Sequence, residues 1–419
     1  MRTATRSAAG DTPEINGDAL PEMRAKGQRA PAIVGIVGNF GTGNYGNEAS
    51  LAAMIDIVRR HHPEARLRCF CLDPAAVQRD HRIEAVTARH IRAPNQTQLM
   101  HILYRIAEPL MLWLLLRDVG ALFIPGTALF EDVGERPSGM PRTLFWITVA
   151  ARLRGVWIAI VSGGAGPIRT RLSRWYLHGA FRLAHYRSWR DTYSRDQLSA
   201  YGFKARLDPV FPDIAFHLVT ACERRAPPGR PTAAIGVMSH LGDGKKGRSA
   251  DAAFEHYIDG LVQVGRQLVE AGFLIRVIAG EDSDAITAGR YVDLLRAHAR
   301  DAESVSLHTA RTFQDICSAV SDADVVIASR FHNLVAGLKM GVPCLSLGYS
   351  PRHDELLGEH GLGLQCHSMS TFDAGLVVAQ ALELADRDSS WRRIVTARSA
   401  MTQKAARAQE PALVTSLRK

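Results

Sequence analysis

Pro31-Ala32-Ile33-Val34-Gly35-Ile36-Val37 runs straight into Gly38-Asn39-Phe40-Gly41-Thr42-Gly43-Asn44-Tyr45-Gly46-Asn47-Glu48. The first seven residues are short, apolar and β-branched, which predicts a strand. The next eleven are a polar glycine loop. An apolar-periodic stretch over 49–60 predicts a helix, and after Pro63 a second apolar run over 67–72 predicts another strand. Strand, glycine loop, helix, strand is a βαβ unit, and it sets the fold class as α/β.

The same grammar continues along the chain. Strands are expected over 121–124 and 156–161, each ending in a glycine-bearing loop, Pro125-Gly126-Thr127 and Ser162-Gly163-Gly164-Ala165-Gly166-Pro167. Parallel sheets place ligands outside the carboxyl ends of their strands, where these loops fall. The Pro-, Gly- and Arg-rich segment 222–231 reads as a linker. Beyond it the alternation restarts, with strands expected over 233–238, 274–279, 305–307, 325–328 and 343–347. Helices are expected over 252–271, 285–299, 312–320 and 333–339. These observations predict two Rossmann-like domains facing a cleft, a GT-B-like architecture. The division expected is a disordered tail over 1–30, a first domain over 31–226, a second over 227–380 and a helical tail over 381–419.

With 419 residues, 46% hydrophobic and 22% charged, the chain has the composition of a globular protein of two or three domains. Its net charge of +9 is uneven: the segment 142–206 holds twelve Arg and Lys against only Asp191 and Asp196. The basic character is therefore local. It does not predict nucleic-acid binding, since no recognition motif or interleaved aromatic pattern accompanies it. The six cysteines, Cys69, Cys71, Cys222, Cys317, Cys344 and Cys366, form no C-x-x-C pair or zinc-like spacing and read as reduced thiols in a cytoplasmic protein. Residues 1–30 have no apolar core of a secretory signal. The most apolar run, 110–116, is too short to cross a membrane and predicts a buried helix.

Two places carry candidate chemistry. Gly41, Gly43 and Gly46 match G-x-G-x-x-G, with Asp73 near the position of a ribose-binding acid. The crowding of that loop by Asn39, Asn44, Asn47 and Glu48 points instead to a polar ligand loop, with Asn44, Gly46, Asn47 and Glu48 as candidates for an anion or a sugar hydroxyl. The stronger place is Ser329-Arg330-Phe331-His332-Asn333, which follows an apolar strand and opens a helix. A permanent cation and a titratable imidazole beside a helix N-terminus make an anion site with a proton donor or acceptor attached. Downstream, Tyr349-Ser350-Pro351-Arg352-His353 offers a second cation at the next strand end.

Taken in order, several blocks resemble the polysaccharide pyruvyl transferases. They are Gly43 to Glu48, Pro125-Gly126-Thr127-Ala128-Leu129-Phe130-Glu131-Asp132, Ser162 to Pro167, and Ser188-Trp189-Arg190-Asp191. Asp208-Pro209, Pro212-Asp213-Ile214-Ala215-Phe216, Ser329 to His332, Gly341-Val342-Pro343 and Tyr349 to Arg352 complete the series. The chain departs from the family pattern at Asn47, where an acid is usual, at Pro125-Gly126-Thr127, where glycines are usual, and at Arg352, where a lysine is usual.

The resemblance implies transfer of the enolpyruvyl carbons of phosphoenolpyruvate onto sugar hydroxyls of a polysaccharide or its lipid-linked precursor, forming a ketal. By that analogy His332 is the general acid/base, Arg330 grips the donor with it, Arg352 and Arg190 assist, and phosphoenolpyruvate is a co-substrate with no further cofactor and no metal. The basic segment then reads as a second anion-binding wall that includes Arg190, as a surface for anionic headgroups at the inner face of the membrane, or as a solvated helix face. The competing expectations are a nucleotide-sugar-dependent glycosyltransferase of the same architecture and a non-catalytic sugar-binding relative.

Overall fold

A computed structural model of the chain describes residues 33–89, 98–134, 136–220, 229–240, 248–298 and 301–417. The tail 1–30, Cys222, the division at 226 and most of the expected linker lie outside them.

The first half runs β1 (Ile33–Val37), α1 (Tyr45–His61), β2 (Arg66–Cys71), α2 (Pro74–His81), β3 (Glu84–Thr87), α3 (Gln98–Leu115), β4 (Val119–Pro125), α4 (Met140–Leu153), β5 (Trp157–Gly163), α5 (Arg171–Leu183), β6 (Tyr186–Trp189) and α6 (Thr192–Ala200). Its strands form one parallel sheet in the order β3-β2-β1-β4-β5-β6. β1 is buried at every position and pairs in parallel with β2 and β4, as its uninterrupted apolar sequence requires of a central strand. Local chemistry sets the helix starts. Asn44 caps α1 by accepting from the Asn47 amide at 3.1 Å, and Asp73 caps α2 by accepting from Ala75 and Ala76 ahead of Pro74.

The second half runs β7 (Thr232–Val237), α7 (Arg248–Glu270), β8 (Leu274–Ala279), α8 (Ala285–His298), β9 (Val305–His308), α9 (Phe313–Val320), β10 (Val325–Ala328), α10 (Phe331–Lys339), β11 (Cys344–Gly348), α11 (Pro351–Glu359) and β12 (Cys366–Ser368). Its parallel sheet has the order β12-β11-β10-β7-β8-β9. Numbered within each half, both sheets read 3-2-1-4-5-6, the doubly wound topology with a switch point between its first and fourth strands. The polar loops after β1 and β4 in one half and after β10 and β11 in the other leave from carboxyl strand ends, and they meet.

Helix α12 (Ala374–Ala385) runs through the boundary expected at 380. α13 (Trp391–Arg407) and α14 (Glu410–Leu417) then cross the molecule. Val395 and Ala406 sit in the core of the second sheet, whereas Leu413 sits in the core of the first.

One expectation is corrected. Residues 110–116 do lie in and just after a helix, but only one side of it is buried. Leu112 and Leu116 enter the core under α4, while Leu110 is 60% exposed and Leu114 55%. Apolar composition made the run helical without saying which of its sides another element would cover.

Candidate active site

The glycine loop is shaped by the other half of the molecule. Gly41 and Gly43 have φ of +77° and +72°, a region that L side chains avoid. A Cβ at Gly43 would lie 2.3 Å from the Asp282 carboxylate, and one at Gly46 would lie 1.9 Å from Nδ1 of His332. Gly43 and Gly46 thus let β8–α8 and α10 of the second domain approach, in place of a pyrophosphate, whereas Gly41 packs against Asp73 of its own domain. Asp73, the candidate ribose acid, is used as the cap of α2. Around the loop, Asn44 donates to Glu281 at 2.9 Å and Tyr45 donates to Asp282 at 2.7 Å. The Asn47 side chain donates through Nδ2 to the Asn39 backbone carbonyl. Glu48 accepts from the Gly41 amide at 2.7 Å and pairs with His81, so it braces the loop from behind.

His332, in the first turn of α10, rests on Gly46 and faces Asp213. Its Nε2 is 3.6 Å from the Asp213 carboxylate and has no closer polar partner. Asp213 is buried and also takes the Arg190 guanidinium at 3.1 Å. Burial alone would raise the pKa of Asp213, but His332 and Arg190 together hold it down to about 2. Arg190 follows β6, stacks 4.6 Å over the Phe331 ring, and fits because residue 164 is a glycine whose Cβ would touch the guanidinium at 3.0 Å. One carboxylate of the first domain therefore joins a cation of its own domain to the imidazole of the other.

The two cations placed with His332 by sequence diverge. Arg330 closes a two-toothed ion pair on Asp284, at 2.8 and 2.7 Å, and reaches Glu281 at 2.6 Å. Arg330 thereby braces the Glu281 that receives Asn44. Arg352 leans on Glu131 of the first domain at 3.1 Å and keeps a buried Nη1 without a partner. Arg190 likewise keeps a buried Nε without a hydrogen bond.

Between the domains lies a cleft of about 480 Å³, the size of a small-molecule site. His332, Arg190, Arg352, Asn44 and Asn47 line it, together with Arg169, Tyr193 and Tyr349; Arg330, Gly46 and Glu48 are not among its lining residues. A larger concavity of about 710 Å³ surrounds Glu410 on the far side, where Arg60, His61 and His217 already hold that carboxylate. It is the joint at which α14 docks. Among the described residues no group of three or more His, Cys, Asp or Glu is arranged to hold a metal ion.

Sequence reasoning quoted Asp213 and Glu131 inside longer blocks but gave neither a role. Glu131 lies just past a predicted strand-end loop, whereas no predicted element marks Asp213. What makes them functional is the cation each meets from a distant part of the chain.

Solved structures with this architecture include the UDP-GlcNAc 2-epimerase from Neisseria meningitidis bound to UDP-GlcNAc. It is 12% identical, aligned over 91% of this chain and 99% of that one with a TM-score of 0.57. A glycosyltransferase from Rickettsia africae is 8% identical over 92% and 98% of the two chains, with a TM-score of 0.58. At such identities the likeness is one of fold, and it establishes the GT-B-like arrangement of the two domains. No curated protein matches the sequence. The polysaccharide pyruvyl transferase family model matches residues 44–351, from the cap of α1 to the first residue of α11, a span that holds most of the cleft lining, with Asn39, Arg352 and His353 just outside it. On that match the chain belongs to the polysaccharide pyruvyl transferase family.

Proposed function

We propose that the chain uses phosphoenolpyruvate as donor and converts two hydroxyls of a glycan into a pyruvyl ketal with release of phosphate. The observation that carries this reading is the juxtaposition of His332 with two cleft guanidiniums, Arg190, which pairs with Asp213 and Asp191, and Arg352, which keeps a buried N–H without a partner. A donor with a carboxylate and a phosphate supplies two anions for those donors. The Asp213 carboxylate faces His332 and orients its ring for proton exchange.

In this mechanism His332 protonates the methylene carbon of the donor, so that C2 becomes oxocarbenium-like. The first sugar hydroxyl adds to C2 and gives its proton back to the imidazole. The C2–O bond to phosphate then breaks, phosphate takes the remaining proton, and the second hydroxyl closes the ring. Asn44 and Asn47 face the cleft as donors and acceptors for the glycan. The acceptor is a polysaccharide or its lipid-linked precursor, met on the cytoplasmic side of the membrane.

The test is to incubate the protein with phosphoenolpyruvate and oligosaccharide acceptors and to follow phosphate release together with ketal formation. Both should appear, and His332→Ala should lower the rate at least about 100-fold. Turnover of a nucleotide sugar, with no phosphate released from phosphoenolpyruvate, would overturn the reading in favour of glycosyl transfer. A biological output that survives His332→Ala would favour a sugar-binding role without turnover.

A further inference from the structure

The layer α3–α4–α5 covers one face of the first sheet, and its outer surface inverts the usual pattern of a surface helix. Within these three helices the one carboxylate is Glu108. It is buried against α4, where it accepts from Thr143 at 3.0 Å and pairs with Arg142. Arg105 turns to the Ser138 carbonyl. What α3 shows to solvent is a stripe at four-residue spacing, Ile102 52%, Ile106 71%, Leu110 60% and Leu114 55% exposed. Ile102 and Ile106 meet Trp146 of α4 across a shallow groove. From there the apolar surface continues through Phe145 to Trp175 of α5, ring centroids 4.9 Å apart, with Trp175 60% exposed. Cations rim this surface: Arg154 stacks 3.7 Å from the Trp113 ring, and Arg152, Arg171 and Arg182 are exposed on α4 and α5.

We infer that this face seats the protein on an anionic phospholipid surface, its apolar stripe entering the boundary between headgroups and acyl chains and its arginines meeting the phosphates. Charge selects this occupant over a second copy. A two-fold dimer through the same face would set arginine against arginine with no solvent-facing carboxylate in the layer to balance them. No helix among the described residues is long and apolar enough to cross a membrane, so the face lies on the bilayer. Arg169, two residues before the start of α5 at Arg171, lines the cleft, which puts the mouth of the site at the edge of this surface. A lipid-linked acceptor would be presented there, which rests on the proposed function; the docking itself does not.

Flotation of the full chain with vesicles of phosphatidylglycerol and phosphatidylcholine, and with phosphatidylcholine alone, tests the inference without donor or acceptor present. Binding should be at least about fivefold weaker to neutral vesicles, and each of Arg171→Gln and Arg182→Gln should weaken anionic binding by about fivefold. The double variant Ile106→Ser, Leu110→Ser should weaken it about tenfold or more while leaving the melting curve unchanged. Brominated acyl chains should quench tryptophan fluorescence, and Trp175→Phe should reduce that quenching. Absence of binding to anionic vesicles, or equal binding by the double variant, would overturn the inference. So would a stable dimer that the double variant dissociates in a protein that ignores vesicles. Because the reaction is not read in this assay, either proposal can fail while the other stands.

Discussion

Gly46 has no side chain because the imidazole of His332 occupies the place where one would begin. Gly46→Ala adds a single methyl group, yet it must push His332 away from Asp213 or part the two domains. The expected outcome is a loss of turnover of about 100-fold or more, read from phosphate release, while circular dichroism reports folded domains. Asp213 makes a complementary prediction. Its carboxyl titrates near 2 against an ordinary 3.8, so its contribution to stability is present above about pH 4 and fades as pH falls toward 2. Asp213→Asn should melt at a lower temperature than the parent near neutral pH, and the two melting temperatures should converge toward pH 2. Turnover should fall about 100-fold, because His332 then loses the carboxylate that it faces. Sequence spacing singled out His332 but not Asp213. An Arg-x-His at a strand end is a local pattern, whereas the pairing of residues 213 and 332 exists only once two sheets face each other.

At the level of elements, the end of β5 shows how a distant helix supports the site. Ser162 has φ of +47°, outside the range usual for a serine, and the β5–β6 register breaks between Ile160 and Gly163. That backbone is held by the Ser188 hydroxyl, which accepts from the Ser162 amide at 2.8 Å, and by buried Gln409 between α13 and α14. Gln409 accepts from the Ser162 hydroxyl at 3.0 Å and donates to the Tyr186 hydroxyl at 3.1 Å. Immediately beyond lies Gly164, the seat of the Arg190 guanidinium. Gln409→Ala should therefore cost about 2 kcal/mol of stability, measured by denaturant unfolding, because it strands buried polar groups. It should also raise the donor KM through Arg190. Helix α3 teaches the opposite lesson about elements. Its sequence predicts a helix and predicts it buried, and only the first expectation holds, because one apolar side is covered by α4 and the other by none of the described residues.

Over the whole molecule, the cleft is made by contacts that cross between domains: Asn44 with Glu281, Tyr45 with Asp282, Asp213 with His332, Glu131 with Arg352. Glu355 of α11 adds another, accepting from the Thr192 and Tyr193 amides at 2.6 and 2.9 Å. A carboxylate at the N-terminus of α6 also meets the positive end of that helix. Glu355→Ala should loosen closure, raising the donor KM several-fold with a smaller change in kcat, and should increase the radius of gyration in small-angle scattering.

The local alternation of apolar strand, glycine loop and amphipathic helix was enough by itself to determine the α/β class, the two halves, most central strands and the candidacy of His332. Those features depend on neighbours within one turn or one strand, which is the range over which periodicity carries information. Only the tertiary structure decided that Gly43 and Gly46 admit a second domain, that Arg330 pairs with Asp284 and Glu281, that Arg190 and Arg352 line the cleft, and that α3 turns leucines outward. Each of these turns on which charge or surface stands opposite, and residues far apart in the chain are brought opposite one another only by packing.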